Sequence, residues 1–227
     1  MKIKKYEDKT LIAFSRPMKC ISSAIWGGGM RKDILCVANV TIPQNINIPV
    51  RSMPSYSRNI VINNGYSSGQ SVVLMTSVPQ KYIGISDDFK CIVTAGLGNA
   101  CSLAPETVWD ESINDIVIYS PGTINCIIVL DDCLSSSAMV EGYGIAKLAI
   151  AEIISSWSNY VGMSTCVGTP TDCVALLCPK DLRKNRFAGI GTKIGSDIVY
   201  SVRGALLNAI AYKYPGFEYA CGVRGSY

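Results

Sequence analysis

TAGLGNA, Thr94–Ala100, and CVGTPTDC, Cys166–Cys173, echo each other along the chain: each reads as a strand ending in glycine with an amide or a carboxylate just beyond. Working outward, a strand over 34–40 and a helix-like segment precede the first, and a strand over 124–130 and a clear helix precede the second. The spacing predicts an α+β fold of mixed sheet with helices layered on it. The fold is read as an internal duplication of a strand–helix–strand unit with glycine-rich turns. The two halves fall at about 20–110 and 111–215, inside one domain spanning 1–227.

The second-half helix is carried by Met139, Tyr143, Ala146, Ile150, Ile153 and Trp157 at helical spacing, with Ser135, Ser136 and Ser137 as candidate N-caps. Another helix follows Gly195 and Ser196, its stripe running Ile198, Val202, Ala205, Ala209 and Tyr212, and Pro215 and Gly216 end it. The apolar run 69–78 fits a strand or a helix; the duplication requires a helix there. Further strands are expected over 11–14, 19–24, 90–94, 115–119 and 174–178. Between the first strands and that run, 43–59 is rich in Pro, Asn and Ser and reads as an inserted loop, a candidate lid.

Composition removes several function classes. The 227 residues include no histidine, so any chemistry runs on carboxylate, amide, hydroxyl and lysine groups. Ten cysteines include no CxxC pair and lie mostly in strand-like runs, so buried thiols are expected and no metal site. A net charge of +4, scattered along the chain, is too weak for a nucleic-acid footprint. Asp115, Asp131, Asp172 and Arg203 break up every candidate membrane span, and the charged start MKIKKYEDKT lacks an apolar signal core, so a cytoplasmic protein with no membrane partner is expected.

Glycine clusters recur at strand ends: Gly27–Gly29, Gly96–Asn99, Gly122–Asn125, Gly168–Asp172 and Gly189–Gly195. Glycine lets backbone approach a ligand closely, so converging turns of this kind would line a pocket with N–H donors. GIGTKIG lacks the spacing of a phosphate-binding loop, which excludes a nucleotide-hydrolysing reading.

In order from Ser22 to Ala209, the segments SSAIWGGGM, ANV, TAGLGNA, GTINCIIVL, AKLAI, GTPTDCVAL and AGIGTKIG together resemble the adenosylcobinamide amidohydrolase family of corrinoid salvage. The resemblance implies hydrolysis of the amide joining the aminopropanol arm of adenosylcobinamide to the corrin ring, giving adenosylcobyric acid. It implies a corrinoid small molecule as partner and no cofactor. Matched by position, the polar residues are Asn39, Asn99, Thr123, Asn125, Lys147, Thr169, Thr171, Asp172, Thr192 and Lys193. One departure is Ile145, where the family pattern leads to a Glu two residues before the helical lysine.

Roles follow by elimination. Asp172 is the expected general base, with backbone N–H groups near Gly168 or the side chain of Asn99 or Asn125 facing the oxyanion, and Lys147 or Lys193 protonating the leaving amine once desolvated. Thr123 directly after Gly122 is the alternative nucleophile, in the manner of self-cleaving hydrolases. Gly28, Asn39, Gly96, Gly168, Thr169, Thr192 and Lys193 are expected to bind substrate. Two other functions stay open at this level: a corrinoid-binding protein without the chemistry, and an amidohydrolase acting on another amide.

Overall fold

The computed structural model describes residues 1–43, 48–88, 90–103, 109–110, 115–116, 122–180 and 185–217. Its strands are β1 (Lys2–Lys5), β2 (Lys9–Ser22), β3 (Gly29–Thr41), β4 (Ser71–Thr76), β5 (Gly84–Ile85), β6 (Cys91–Ala95), β7 (Trp109–Asp110), β8 (Asp115–Ile116), β9 (Ile124–Val129) and β10 (Cys173–Cys178). The helices are α1 (Met53–Asn63), α2 (Ser136–Tyr160) and α3 (Lys193–Ala211). Eight strands form one mixed sheet in the order β4-β3-β2-β10-β9-β6-β5, with β1 paired to β2, while β7 and β8 form a separate pair. Two neighbours run parallel, β3 with β4 and β9 with β10; α1 lies in the first crossover and α2 in the second.

The sheet curls. Strands β4 and β9 stand four places apart, which would separate them by about 19 Å if the sheet were flat, yet Asn125 Nδ2 on β9 donates to the Met75 carbonyl of β4 at 3.0 Å. Alternation then divides each strand between two environments. Ile12, Val37, Leu74, Ile127 and Leu177 fill the inside of the curl. On the outside, Val93, Cys126 and Leu176 pack under Ile150, Trp157 and Val202 of α2 and α3, and Ala38, Val40 and Val73 pack with Val61 of α1.

Local chemistry accounts for the element ends. Ser135 caps α2 by accepting from the Ala138 N–H at 3.1 Å, and Thr192 caps α3 by accepting from the Gly195 N–H at 3.0 Å. The two strands expected over 11–14 and 19–24 are one long strand, β2, whose pairing with β3 is irregular between Ala13 and Met18, where Pro17 cannot donate to a ladder.

The structure corrects the first half. Residues 71–76 are strand β4, buried between β3 and α1, and not the helix that the duplication required. No clear strand–helix–strand correspondence between the two echoes is seen among the described residues: β6, which ends at Ala95 within TAGLGNA, pairs antiparallel with β9, whereas β10 pairs parallel with it. The helix of the β3–β4 crossover is α1, which starts within the stretch read as a loop and runs four residues past its end at Asn59; proline stands in its first turn, where the missing N–H costs no intrahelical bond. Residues 44–47 of that stretch and 117–119 of the strand expected over 115–119 lie outside the described residues.

Candidate active site

Because β9 and β10 run parallel, the residues preceding both strands meet at one end of the sheet. Asp172 is the hub of that end. Its Oδ1 accepts from the Ile124 N–H at 2.8 Å and from Thr169 Oγ1 at 2.5 Å, and its Oδ2 accepts from the Thr169 N–H at 2.9 Å. One lone pair of Oδ2 is left without a donor among the described residues. Burial pushes the carboxyl above its ordinary range, opposed by the Thr169 and Ile124 hydrogen bonds and by the nearby Lys147 charge. Lys147 reaches in from the middle of α2 and donates to the Asp172 carbonyl at 3.2 Å.

The Gly122–Thr123 segment interlocks with this turn. Thr123 Oγ1 donates to the Thr171 carbonyl at 2.9 Å, and Thr171 Oγ1 donates to the Gly122 carbonyl at 3.2 Å. From the front half of the chain, the Gly96 N–H donates to the Thr123 carbonyl and the Cys101 N–H to the Gly168 carbonyl, both at 2.9 Å. Between those two anchors Asn99 lies against Gly122, where an added Cβ would collide with Asn99 Oδ1. Gly96, Gly122 and Gly168 all have ordinary φ, so glycine is needed for space and not for a left-handed backbone. A Cβ on Gly168 would strike Asp172 Oδ2.

Asn99 is the unusual member. Both its side-chain polar atoms are buried and neither has a hydrogen-bond partner. An orphaned buried donor or acceptor costs about 1–3 kcal/mol, and such a group in a cleft of polar turns points to a ligand. With neither end engaged, the amide can turn to offer Nδ2 as a donor to a ligand.

A second cluster lies just inside the curl. Asn125 Nδ2 donates to Asn39 Oδ1 at 2.8 Å and to the Met75 carbonyl, and Asn39 Nδ2 donates to Thr94 Oγ1 at 3.2 Å. Both N–H groups of Asn125 are therefore committed, which removes it as an oxyanion donor and leaves that role to Asn99. Thr94 belonged to the quoted TAGLGNA stretch and was passed over, because nothing local marks a threonine whose partner is 55 residues away.

The remaining expected residues separate. Gly28 packs against the Ser22 and Ala24 carbonyls, in the β2–β3 turn that reaches β10 through the Ser23 N–H to Val174 carbonyl bond. Thr192 and Lys193 are not brought to the Asp172 turn. They begin α3 beside Gly189, with the charge of Asp132, just past the far end of β9, felt at Lys193; the six residues of β9 span about 20 Å. Lys193 is 85% exposed and paired with Asp197 at 2.6 Å, which pushes its ammonium up. The desolvation that a lysine acid needs is absent there, so Lys147 is the remaining candidate. Ile145 is buried among α2, α3 and the sheet, so the position of the missing Glu is a core position in this chain.

Cys101 lies against the turn through its N–H bond to the Gly168 carbonyl, and burial and then the Asp172 charge push its thiol up, against thiolate formation. Among the described residues no group of three His, Cys, Asp or Glu side chains could hold a metal ion, and no helix is long and apolar enough to cross a membrane.

The family described as adenosylcobinamide amidohydrolase (CbiZ) matches residues 1–215. No curated protein matches the chain. Among solved structures, 17 chains match. One is the crystal structure of the PH0078 protein from Pyrococcus horikoshii OT3, 11% identical over 92% of this chain and 78% of that chain, with a TM-score of 0.45. A likeness that distant carries no argument about the site.

Proposed function

Because the chain belongs to the adenosylcobinamide amidohydrolase family, we propose that it hydrolyses the amide between the aminopropanol arm and the corrin ring of adenosylcobinamide, giving adenosylcobyric acid. Asp172 is the general base. Its open Oδ2 lone pair takes a proton from water as the water adds to the amide carbon, and burial raises its basicity. Asn99 Nδ2 donates to the oxygen on which negative charge develops; one such donor is worth about 2.7–4 kcal/mol of barrier. Lys147 protonates the departing amine, so the C–N bond breaks to leave a carboxylic acid on the ring and a neutral aminopropanol; the acid ionises by returning a proton to Lys147, and Asp172 gives the proton it took to solvent.

The observation that supports this reading is convergence: Asn99 from the front half and Asp172 from the rear half both close on Gly122–Ile124. Incubation with adenosylcobinamide followed by mass spectrometry for adenosylcobyric acid tests it. Tight binding with no product would leave a corrinoid-binding protein, the reading that Ile145 favours. Turnover of simple amides but not of the corrinoid would leave an amidohydrolase with another substrate.

A further inference from the structure

The orientation of the buried asparagine pair carries a second role. A carbonyl oxygen can only accept, so the Asn125 atom facing Met75 must be Nδ2, which removes the usual ambiguity of an amide flip. That assignment propagates: Asn39 Oδ1 must face Asn125 Nδ2, and Asn39 Nδ2 must face Thr94 Oγ1. The result is that Asn125 Oδ1 is held as an acceptor on a residue only 1% exposed, and it has no partner. Asn39 is equally buried, and both ends of its amide are engaged within the protein.

We infer that Asn125 Oδ1 accepts the N–H of the substrate's scissile carboxamide and that Asn39 is a positioning residue which, together with the Met75 carbonyl, stops the Asn125 amide from turning over. The inference rests on the amidohydrolase reading above. It assigns a selection that the other site residues do not make. An amide substrate offers an N–H to a fixed acceptor oxygen, whereas the product's carboxylate offers only oxygens and is repelled by it. Fixing the acceptor therefore favours substrate over product in the same site. Asn39 touches no substrate atom and acts through Asn125.

The test is the ratio of affinities for cobinamide and cobyric acid, measured by equilibrium titration of the corrinoid absorbance, with kcat and KM for adenosylcobinamide alongside. Wild type is expected to favour the amide by about tenfold or more, the value of one well-placed hydrogen bond. Asn39→Leu removes one of the two acceptors that hold Asn125 Nδ2 and leaves the Met75 carbonyl alone to do so, and the ratio is expected to fall several-fold with KM raised. Asn39→Asp keeps an oxygen facing Asn125 Nδ2 and another for the Thr94 hydroxyl, and it is expected to retain most of the preference. Should Asn39→Leu fail to fold, Thr94→Val loosens Asn39 more gently and is expected to lower the ratio part of the way. Equal weakening of both ligands in either apolar variant, with the ratio unchanged, overturns the positioning role. A wild type that binds neither corrinoid overturns instead the functional reading beneath it.

Discussion

At the scale of single residues, Asp172 combines two demands that pull apart. As a turn cap it accepts three hydrogen bonds, and as a base it must keep one lone pair open. Asp172→Asn separates them: the amide can still accept at one oxygen, but its NH2 then faces a backbone N–H. Turnover is expected to vanish and stability to fall by about 1–3 kcal/mol, read from kcat and urea unfolding of the same preparation. Retained turnover would remove Asp172 as the base. The pH dependence has a definite sign. Only the ionised carboxylate is active, so kcat/KM falls on acidification, with a midpoint above the ordinary carboxylate range. Stability moves the other way: because the folded pKa is raised, the contribution of Asp172 is fully present below the unfolded pKa and is lost as pH rises through the folded one. Gly122→Ala reaches Asn99 without altering it. The new methyl displaces Asn99 Oδ1 and also presses on the Gly96 carbonyl, so kcat is expected to fall about 100-fold or more, the cost of one oxyanion donor, with some loss of stability, and Asn99→Ala in that background is expected to add little to the loss of kcat. Additive losses would show that the two residues act separately.

At the scale of elements, α2 shows how a position can leave a family pattern without loss. Its inner face carries Met139, Ala146, Ile150 and Trp157 into the core, and Ile145 shares that face, while Lys147 turns toward Asp172. Ile145→Glu restores the expected residue type yet buries an unpaired carboxylate; it is expected to cost about 3 kcal/mol or more in thermal or urea unfolding, with no gain in turnover. A rise in kcat would instead place that carboxylate in the chemistry. The same helix was legible from sequence because a 3.6-residue stripe over 25 residues has no competing reading. Strand β4 was not, since Ser71–Thr76 holds only a four-residue apolar run, buried on both faces, which looks alike as strand or helix. Helix α1 was hidden by composition: Pro54, Ser55, Ser57 and Asn59 read as loop residues, and only packing of Val61 on Val73 makes them helical. Asp172 and Asn99 were readable as candidates, but their convergence and the Asn39–Asn125 bond across 86 residues depend on the curl of the sheet, which no local pattern records.

At the scale of the whole molecule, that curl sets which residues can act together. It brings edge strand β4 to β9 through Asn125, and it leaves Thr192 and Lys193 past the far end of β9 and β10. The expectation from likeness in sequence that these residues bind substrate need not hold, because a helix cap is sufficient reason for Thr192 and an exposed ion pair for Lys193. Variants separate the two. Thr192→Ala is expected to cost about 1 kcal/mol through loss of the cap, and Lys193→Ala less than about 0.5 kcal/mol, since exposed pairs contribute little. Neither is expected to change kcat/KM for adenosylcobinamide by more than about twofold, a shift of about 0.4 kcal/mol. A loss of tenfold or more in Lys193→Ala, with unfolding unchanged, would mean that the substrate extends along the full length of the sheet and that the Asp172 turn is one end of a longer site.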